Sequence, residues 1–262
     1  SDAPDQVGPL LQTRTELSQA GQLRLNLSRI QGEVNTAEQA LQSSVALAER
    51  ALVLGAQADT DFSTPEARAN LASEVKGLLD QLVGLSRTQV EGRCIFSGDA
   101  DQAPPYTLDW AADPPLSAYL GAVSTRQALH PSGVPFAIAH SADRIFDNPD
   151  AAKNAFAALN GMRAALLAND RSAIQAALGR LKSADLHLNT ELGFYGSVQN
   201  QVAQAMDATS KTELSLRTRL AAMEDADMTQ AILEMNQAST QQQTALAARA
   251  KMPRTSLFDY LG

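Results

Sequence analysis

Residues 23–52 read LRLNLSRIQGEVNTAEQALQSSVALAERAL. In that stretch Leu23, Leu27, Ile30, Val34, Ala37, Leu41, Val45, Ala48 and Leu52 follow one another at intervals of three or four residues. At about 100° per residue they fall within an arc of roughly 80°, the narrow seam of a coiled coil and not the broad face of a helix lying on a globular core. The two consecutive four-residue steps from Ala37 through Leu41 to Val45 shift the pattern toward the longer repeat that straightens a supercoil. A helix over about residues 10–58 rises on the order of 70 Å, and no compact domain of this size needs such a rod.

A second stripe near the other end repeats the spacing through Val198, Val202, Ala205, Thr209, Thr212, Leu216, Leu220 and Met223. Two rods with matching seams pack lengthwise, so the expected fold is mainly α, an antiparallel coiled-coil-like bundle of long helical rods. Seven of the 11 prolines, Pro104 to Pro149, crowd into one central region, and none lies between Pro65 and Pro104 or between Pro149 and Pro253. The proline-free gaps mark long helices. The same central region carries Tyr106, Trp110, Tyr119, Phe136 and Phe146, whereas Phe62 is the only aromatic residue before Phe96. Aromatic, turn-punctuated sequence reads as short strands. The expected organisation is therefore an N-terminal helical half (1–98), a small β-rich insertion domain (99–147), a C-terminal helical half (148–223) and a C-terminal segment (224–262).

Local signals refine the helix ends. Ser63-Thr64-Pro65-Glu66 has capping-box spacing between Ser63 and Glu66 with Pro65 at the first helical position, which predicts a helix to about Glu91. Asn148-Pro149 predicts another start, Asp170 a cap for the segment after it, and Asp227 with Gln230 a fresh helix after the Glu224-Asp225-Ala226-Asp227 run. Gln237 to Arg249 is rich in Gln and Ala and poor in large apolar residues, a marginal helix on its own.

Composition narrows the function. Lys+Arg number 21 against Asp+Glu 29, a formal net charge of −8, which argues against a nucleic-acid or anionic-membrane surface. No stretch reaches the roughly 18 apolar residues of a membrane span, and no signal-peptide pattern opens the chain. Cys94 is the single cysteine, so no intrachain disulfide and no multi-cysteine metal cluster is expected. His130, His140 and His187 share no ligand spacing. Ser73-Glu-Val-Lys76 matches a Ser-x-x-Lys pattern without its companion motifs, and phosphate-loop, dinucleotide-fold and nucleophile-elbow patterns are missing. The Glu224, Asp225 and Asp227 carboxylates read as a solvated helix start, and Trp110 as the core of the insertion. No catalytic residue, metal or cofactor is expected, and a generic coiled-coil adaptor and an enzyme stand as the contrasting alternatives.

Three segments carry a resemblance. Ser86-Arg-Thr-Gln-Val-Glu-Gly-Arg-Cys-Ile-Phe-Ser-Gly98 resembles the turn that closes the N-terminal helical half of the flagellin superfamily, with Cys94 where Tyr is usual. Glu224-Asp-Ala-Asp-Met228 resembles the signature before that superfamily's last helix, and Ser1-Asp-Ala-Pro4 the loop that leads into its first rod. The small insertion, Pro104-Pro105-Tyr106 and the tail Ser256-Leu257-Phe258-Asp259-Tyr260-Leu261 look like the hook–filament junction branch, the hook-associated protein 3 group; a filament-forming flagellin with a short variable domain is the alternative.

The resemblance implies a structural subunit of the extracellular flagellum, exported unfolded through the type III channel without a cleaved signal peptide. Hook-associated protein 1 would lie on its cell side, flagellin on its far side and copies of itself around it. It also implies that Leu246, Leu257, Phe258, Tyr260 and Leu261 serve docking to an export chaperone and then axial packing. The family segment that precedes the first rod and pairs with the C-terminal helix is not in this sequence, so the stretch from Gln237 is expected to be disordered or to make foreign contacts. The rod seam is expected at Leu23, Leu27, Ile30, Val34, Leu41, Val45, Leu52, Val198, Val202, Leu216, Leu220 and Met223.

Overall fold

A computed structural model describes residues 4–60, 62–112 and 114–250. Five helices dominate: α1 (Pro4–Ala58), α2 (Pro65–Ser86), α3 (Ala142–Ile145), α4 (Ala155–Leu167) and α5 (Arg171–Ala250). Two two-stranded antiparallel sheets complete the fold, β1 (Gln89–Val90) with β2 (Arg93–Cys94) and β3 (Gln127–Leu129) with β4 (Pro135–Ala137). The fold is mainly α, with long helices packed against each other and a small β component. The chain divides into two compact units, residues 24–208 and a second unit made of 1–23 with 209–262.

In the larger unit α5 buries Ile174, Ala177, Leu181, Ala184, Leu188, Glu191, Tyr195, Val198, Val202 and Ala205, an unbroken alternation of three- and four-residue steps. That is a coiled-coil heptad seam. On α1, Leu27, Ile30, Val34, Ala37 and Leu41 form the facing seam. From Ala40 onward Ser44, Ala51 and Leu54 are buried as well, because α1 now has further neighbours and its apolar arc widens. The antiparallel arrangement follows from two links. Asp59 at the end of α1 accepts from Arg171 Nε (2.9 Å) and Gln175 Nε2 (3.0 Å) at the start of α5, while Gln199 donates to Asn35 Oδ1 (3.0 Å) and to Glu38 further along both helices. α2 and α4 pack side by side, burying Val75, Leu79 and Leu82 with Leu159, Met162 and Leu166.

The helix ends differ from the sequence expectations in instructive ways. The cap of α2 is Thr64, whose side chain accepts from Ala67 N at 3.2 Å, and Pro65 follows it, so the start is one residue later than a Ser63 cap. α2 ends at Ser86, not near Glu91, because Glu91 (φ 52°) and Gly92 (φ 77°) form a left-handed two-residue turn that pairs Gln89 with Cys94 and Val90 with Arg93. Asn148-Pro149 starts no helix. Asn148 Oδ1 instead accepts from Asp150 N (3.0 Å) in a turn, and Asn154 caps α4 by accepting from Ala157 N (2.8 Å). Asp170 Oδ1 accepts from Ala173 N at 3.1 Å in the first turn of α5. The carboxylate run at Glu224 breaks nothing, since α5 continues through it to Ala250. Uninterrupted i to i−4 bonding and the lack of Pro or Gly there make continuation cheaper than a restart. The stretch from Gln237 to Ala250 is thus helical, with every residue exposed.

Candidate assembly surface

The segment after β2 is where the central region joins the helices. Phe96 is fully buried and meets Phe146 edge-on (5.7 Å between ring centroids) and Tyr195 of α5 (6.3 Å). Tyr106 meets Phe156 of α4 at 5.2 Å, and Phe156 stacks on Phe146 at 5.7 Å. One apolar core therefore runs from the rod seams into residues 95–146. Burial pushes the Tyr106 and Tyr195 phenols well above their usual range and Tyr119 up to about 12, so all three stay neutral.

Polar clamps fasten the same joint. Arg126, just before β3, makes a two-pronged ion pair with Glu33 of α1. Asp99 accepts from Thr125 N (3.1 Å) and Thr125 Oγ1 (2.8 Å), which hold its carboxyl below the usual range. Glu191, only 4% exposed at a heptad core position of α5, bonds His140 Nδ1 (2.5 Å) and Arg144 Nε (3.4 Å). Burial alone would raise its carboxyl, but the hydrogen bond from His140 and the charges of His140 and Arg144 outweigh that and leave it below the ordinary range. His140 also stacks on Phe194, centroids 3.6 Å apart. Trp110 is not the core of an insertion: half-buried, it donates from Nε1 to Asp80 of α2 (2.8 Å) while Lys76 and Arg163 lie over its ring at 4.7 and 4.8 Å. Single-sequence reading missed these partners because they come from helices far away in the chain. Cys94 is buried in β2, as a small packing residue would be.

The smaller unit has a more polar seam. Thr13, Ala20, Thr209 and Glu213 are buried there, and Arg14 Nη2 donates to Glu224 Oε1 at 2.8 Å. Thr212 is exposed and Glu213 buried, so the inward face steps by fours from Ala205 through Thr209 to Glu213 and then rejoins the expected stripe at the half-buried Leu216, Leu220 and Met223. Beyond it Met228, Ile232, Leu233, Met235 and Leu246 are exposed, and an open groove lies along Leu233, Gln237, Thr240 and Thr244. At about 100° per residue Met228, Ile232, Met235 and Leu246 share one face of α5, whereas Leu233 and the groove lie roughly 140° around the helix; an exposed apolar face of the first kind marks an interaction surface.

Of the expected seam residues, Leu27, Ile30, Val34, Leu41, Val45, Val198 and Val202 are buried, and Leu23, Leu52, Leu216, Leu220 and Met223 are half-buried. Leu246 is 60% exposed, and Leu257, Phe258, Tyr260 and Leu261 lie outside the described residues. Among the described residues no three His, Cys, Asp or Glu side chains gather as metal ligands, and no helix is long and apolar enough to cross a membrane.

Comparison with known proteins agrees with this architecture. The family model for the bacterial flagellin N-terminal helical region matches residues 4–101, and that for the bacterial flagellin C-terminal helical region matches residues 178–261. A search of curated protein sequences gives no match. Among solved structures, a protein of Vibrio parahaemolyticus described as flagellar hook-associated is 18% identical with a TM-score of 0.75, covering 85% of this chain and 99% of its own. Hook-associated protein 3 of Legionella pneumophila is 15% identical with a TM-score of 0.71, covering 82% and 98%. FlgL of Bacillus cereus is 19% identical with a TM-score of 0.64, covering 82% and 100%. At these identities the likeness is one of fold, and together with the two helical-region matches it leads to one assignment. The chain belongs to the flagellin family, whose members are structural, non-enzymatic components of the bacterial flagellum.

Proposed function

We propose that this protein is a hook–filament junction subunit that links hook-associated protein 1 to the flagellin filament. The observation that carries the reading is the exposed distal part of α5, a long helix whose Met228, Ile232, Met235 and Leu246 have their apolar area in water in the isolated chain. Such a face is satisfied only when other helices cover it, as in a tube of side-by-side subunits. The compact central region and the Ser256-Leu257-Phe258-Asp259-Tyr260-Leu261 tail favour the junction role over that of a filament subunit. Three of the similar solved structures are themselves hook-associated or FlgL proteins. In this reading Leu246, Leu257, Phe258, Tyr260 and Leu261 first hold an export chaperone and then pack axially. Export is unfolded, through the flagellar type III channel.

The test mixes purified chain with sheared filament seeds in a precipitating salt, read by negative-stain electron microscopy, beside a pull-down with hook-associated protein 1. A junction subunit caps the seeds without lengthening them and is retained by hook-associated protein 1. Long filaments grown from this chain alone would make it a filament flagellin and overturn the proposal.

A further inference from the structure

Six methionines occur in the sequence, and the structure sorts the five that it describes by depth. Met162 is fully buried between α2 and α4, Met206 and Met223 are half-buried, and Met228 and Met235 stand 64% and 66% exposed on α5. A peroxide reaches sulfur through solvent, so its attack follows exposure. Cys94, whose sulfur a peroxide also oxidises, is buried in β2.

The two exposed thioethers are not scattered. Seven residues apart on one helix, they are separated by about 10 Å along its axis and by only about 20° around it. Ile232, also exposed, lies between them on the same face. The three side chains make one apolar strip, and it is part of the face on which the assembly reading rests.

Oxidation changes this strip without touching the folded core. A lone pair on the sulfur attacks the terminal oxygen of a hydroperoxide and the O–O bond breaks; the products are methionine sulfoxide and water or an alcohol. Sulfur gives up two electrons, the peroxide takes them, and no further reactant is needed. The new oxygen is a strong hydrogen-bond acceptor. In the free chain water satisfies it. Beneath a covering helix it loses that water, and the main-chain donors of such a helix are already bonded within it.

We propose that Met228 and Met235 are an oxidation-sensitive pair that controls assembly. Hydrogen peroxide or a related hydroperoxide converts both to sulfoxides in the unassembled chain and bars that chain from being covered by its neighbours. A chain already covered is shielded, and reduction of the two sulfoxides restores competence. The inference rests on the assembly reading above and adds a regulation of the same face.

The experiment treats the full chain with dilute hydrogen peroxide and follows each methionine peptide by mass spectrometry. Met228 and Met235 are expected to gain oxygen first, Met206 and Met223 later and Met162 last, with thermal melting unchanged after the first two. Retention on sheared filament seeds and by hook-associated protein 1 should then weaken about 100-fold, the effect of removing two apolar side chains from a contact. Treatment with the two epimer-specific methionine sulfoxide reductases should bring it back. The double variant Met228→Leu with Met235→Leu keeps the strip apolar and removes the sulfurs, and should be retained equally well before and after peroxide. Attack on Met228 and Met235 no faster than on Met206 and Met223, or full retention with both oxidised, overturns the proposal. An equal loss in the double variant overturns it too, because the sensitive group then lies elsewhere. All three results leave the assembly reading standing, whereas an untreated chain retained by neither seeds nor hook-associated protein 1 overturns that reading and the switch with it.

Discussion

Gly98 ends the Ile95-Phe96-Ser97 turn with φ +64°, and a Cβ built there would lie 1.8 Å from Ala122 O and 2.7 Å from Ala122 C. Both are backbone atoms, so no rotamer change relieves the clash. In Gly98→Ala the 119–122 segment must retreat by about 1 Å before the contact is tolerable. That retreat breaks the hydrogen bond from Ala122 N to Ser97 O (3.0 Å) and disturbs that from Tyr119 Oη to Ala122 O (2.9 Å). The left-handed conformation costs a side-chain-bearing residue roughly 1–2 kcal/mol. Two weakened hydrogen bonds add about 1 kcal/mol each, so the expected loss is about 3 kcal/mol, a large share of a typical total of about 5–15 kcal/mol. The internal control is Gly92→Ala, where φ is +77° but nothing lies within 4 Å of the new methyl, and only the conformational cost of about 1 kcal/mol remains. Urea unfolding followed by far-ultraviolet circular dichroism, with unchanged slope, measures both. If Gly98→Ala proves no more destabilising than Gly92→Ala, the close approach of the 119–122 backbone to Gly98 is wrong.

Three further outcomes follow from the packing. Leu41→Ala, at a fully buried seam position, should cost about 2–5 kcal/mol, and Leu216→Ala, half-buried in the smaller unit, clearly less; thermal denaturation of both would refute the ranking if the order reversed. Glu191 has a folded-state pKa below the ordinary carboxylate value, so its contribution is full at neutral pH and is lost as pH falls below about 4.5 and through the depressed value. The stability gap between wild type and Glu191→Gln should therefore shrink on acidification, and a gap that widened would contradict the ion pair. Trp110 is the only tryptophan, so its emission reports the Lys76–Trp110–Arg163 stack directly. Replacing both cations with Ala should red-shift the emission and increase iodide quenching, and an unmoved spectrum would mean that the cations do not shelter the ring.

The long helices were legible because their signal is local and repeated: three- and four-residue apolar steps define a seam wherever they occur, whatever lies opposite. The antiparallel pairing was also within reach, since two matching seams leave little else to do with them. The stripe over Ile174 to Tyr195 is regular but not legible, because Ala177, Ala184 and Glu191 supply three of its seven positions and do not announce themselves as core. The Asn148 start and the Asp227 restart failed for a common reason. A capping residue permits a helix end but does not require one, and the choice falls to bonds such as Asn154 to Ala157 or to the continuity of α5. Trp110 was misplaced because its partners, Lys76, Asp80 and Arg163, are brought to it by the packing of α2 on α4. Met228, Ile232 and Met235 are legible in the sequence as positions of a helix, but the local signals start that helix afresh at Asp227 where α5 continues unbroken.

Glu191 shows why the central region and the rods act together. A carboxylate at a heptad core position is costly to bury, and a lone one would cost several kcal/mol or take up a proton. Here both of its oxygens are answered, by His140 and Arg144, and these residues arrive from the end of the central region and not from the facing helix. The pair forms only when the segment around α3 is docked and α5 is in register. A slip of α5 by one heptad would bring Ala184 or Val198 to the imidazole and leave the charge buried against apolar walls. The apolar seam by itself tolerates such a slip, because neighbouring heptads look alike. The ion pair does not, so it discriminates between registers that hydrophobic burial leaves nearly equal. Arg126 and Glu33 apply the same constraint to α1. A central region that reads each long helix at one charged position fixes both against sliding.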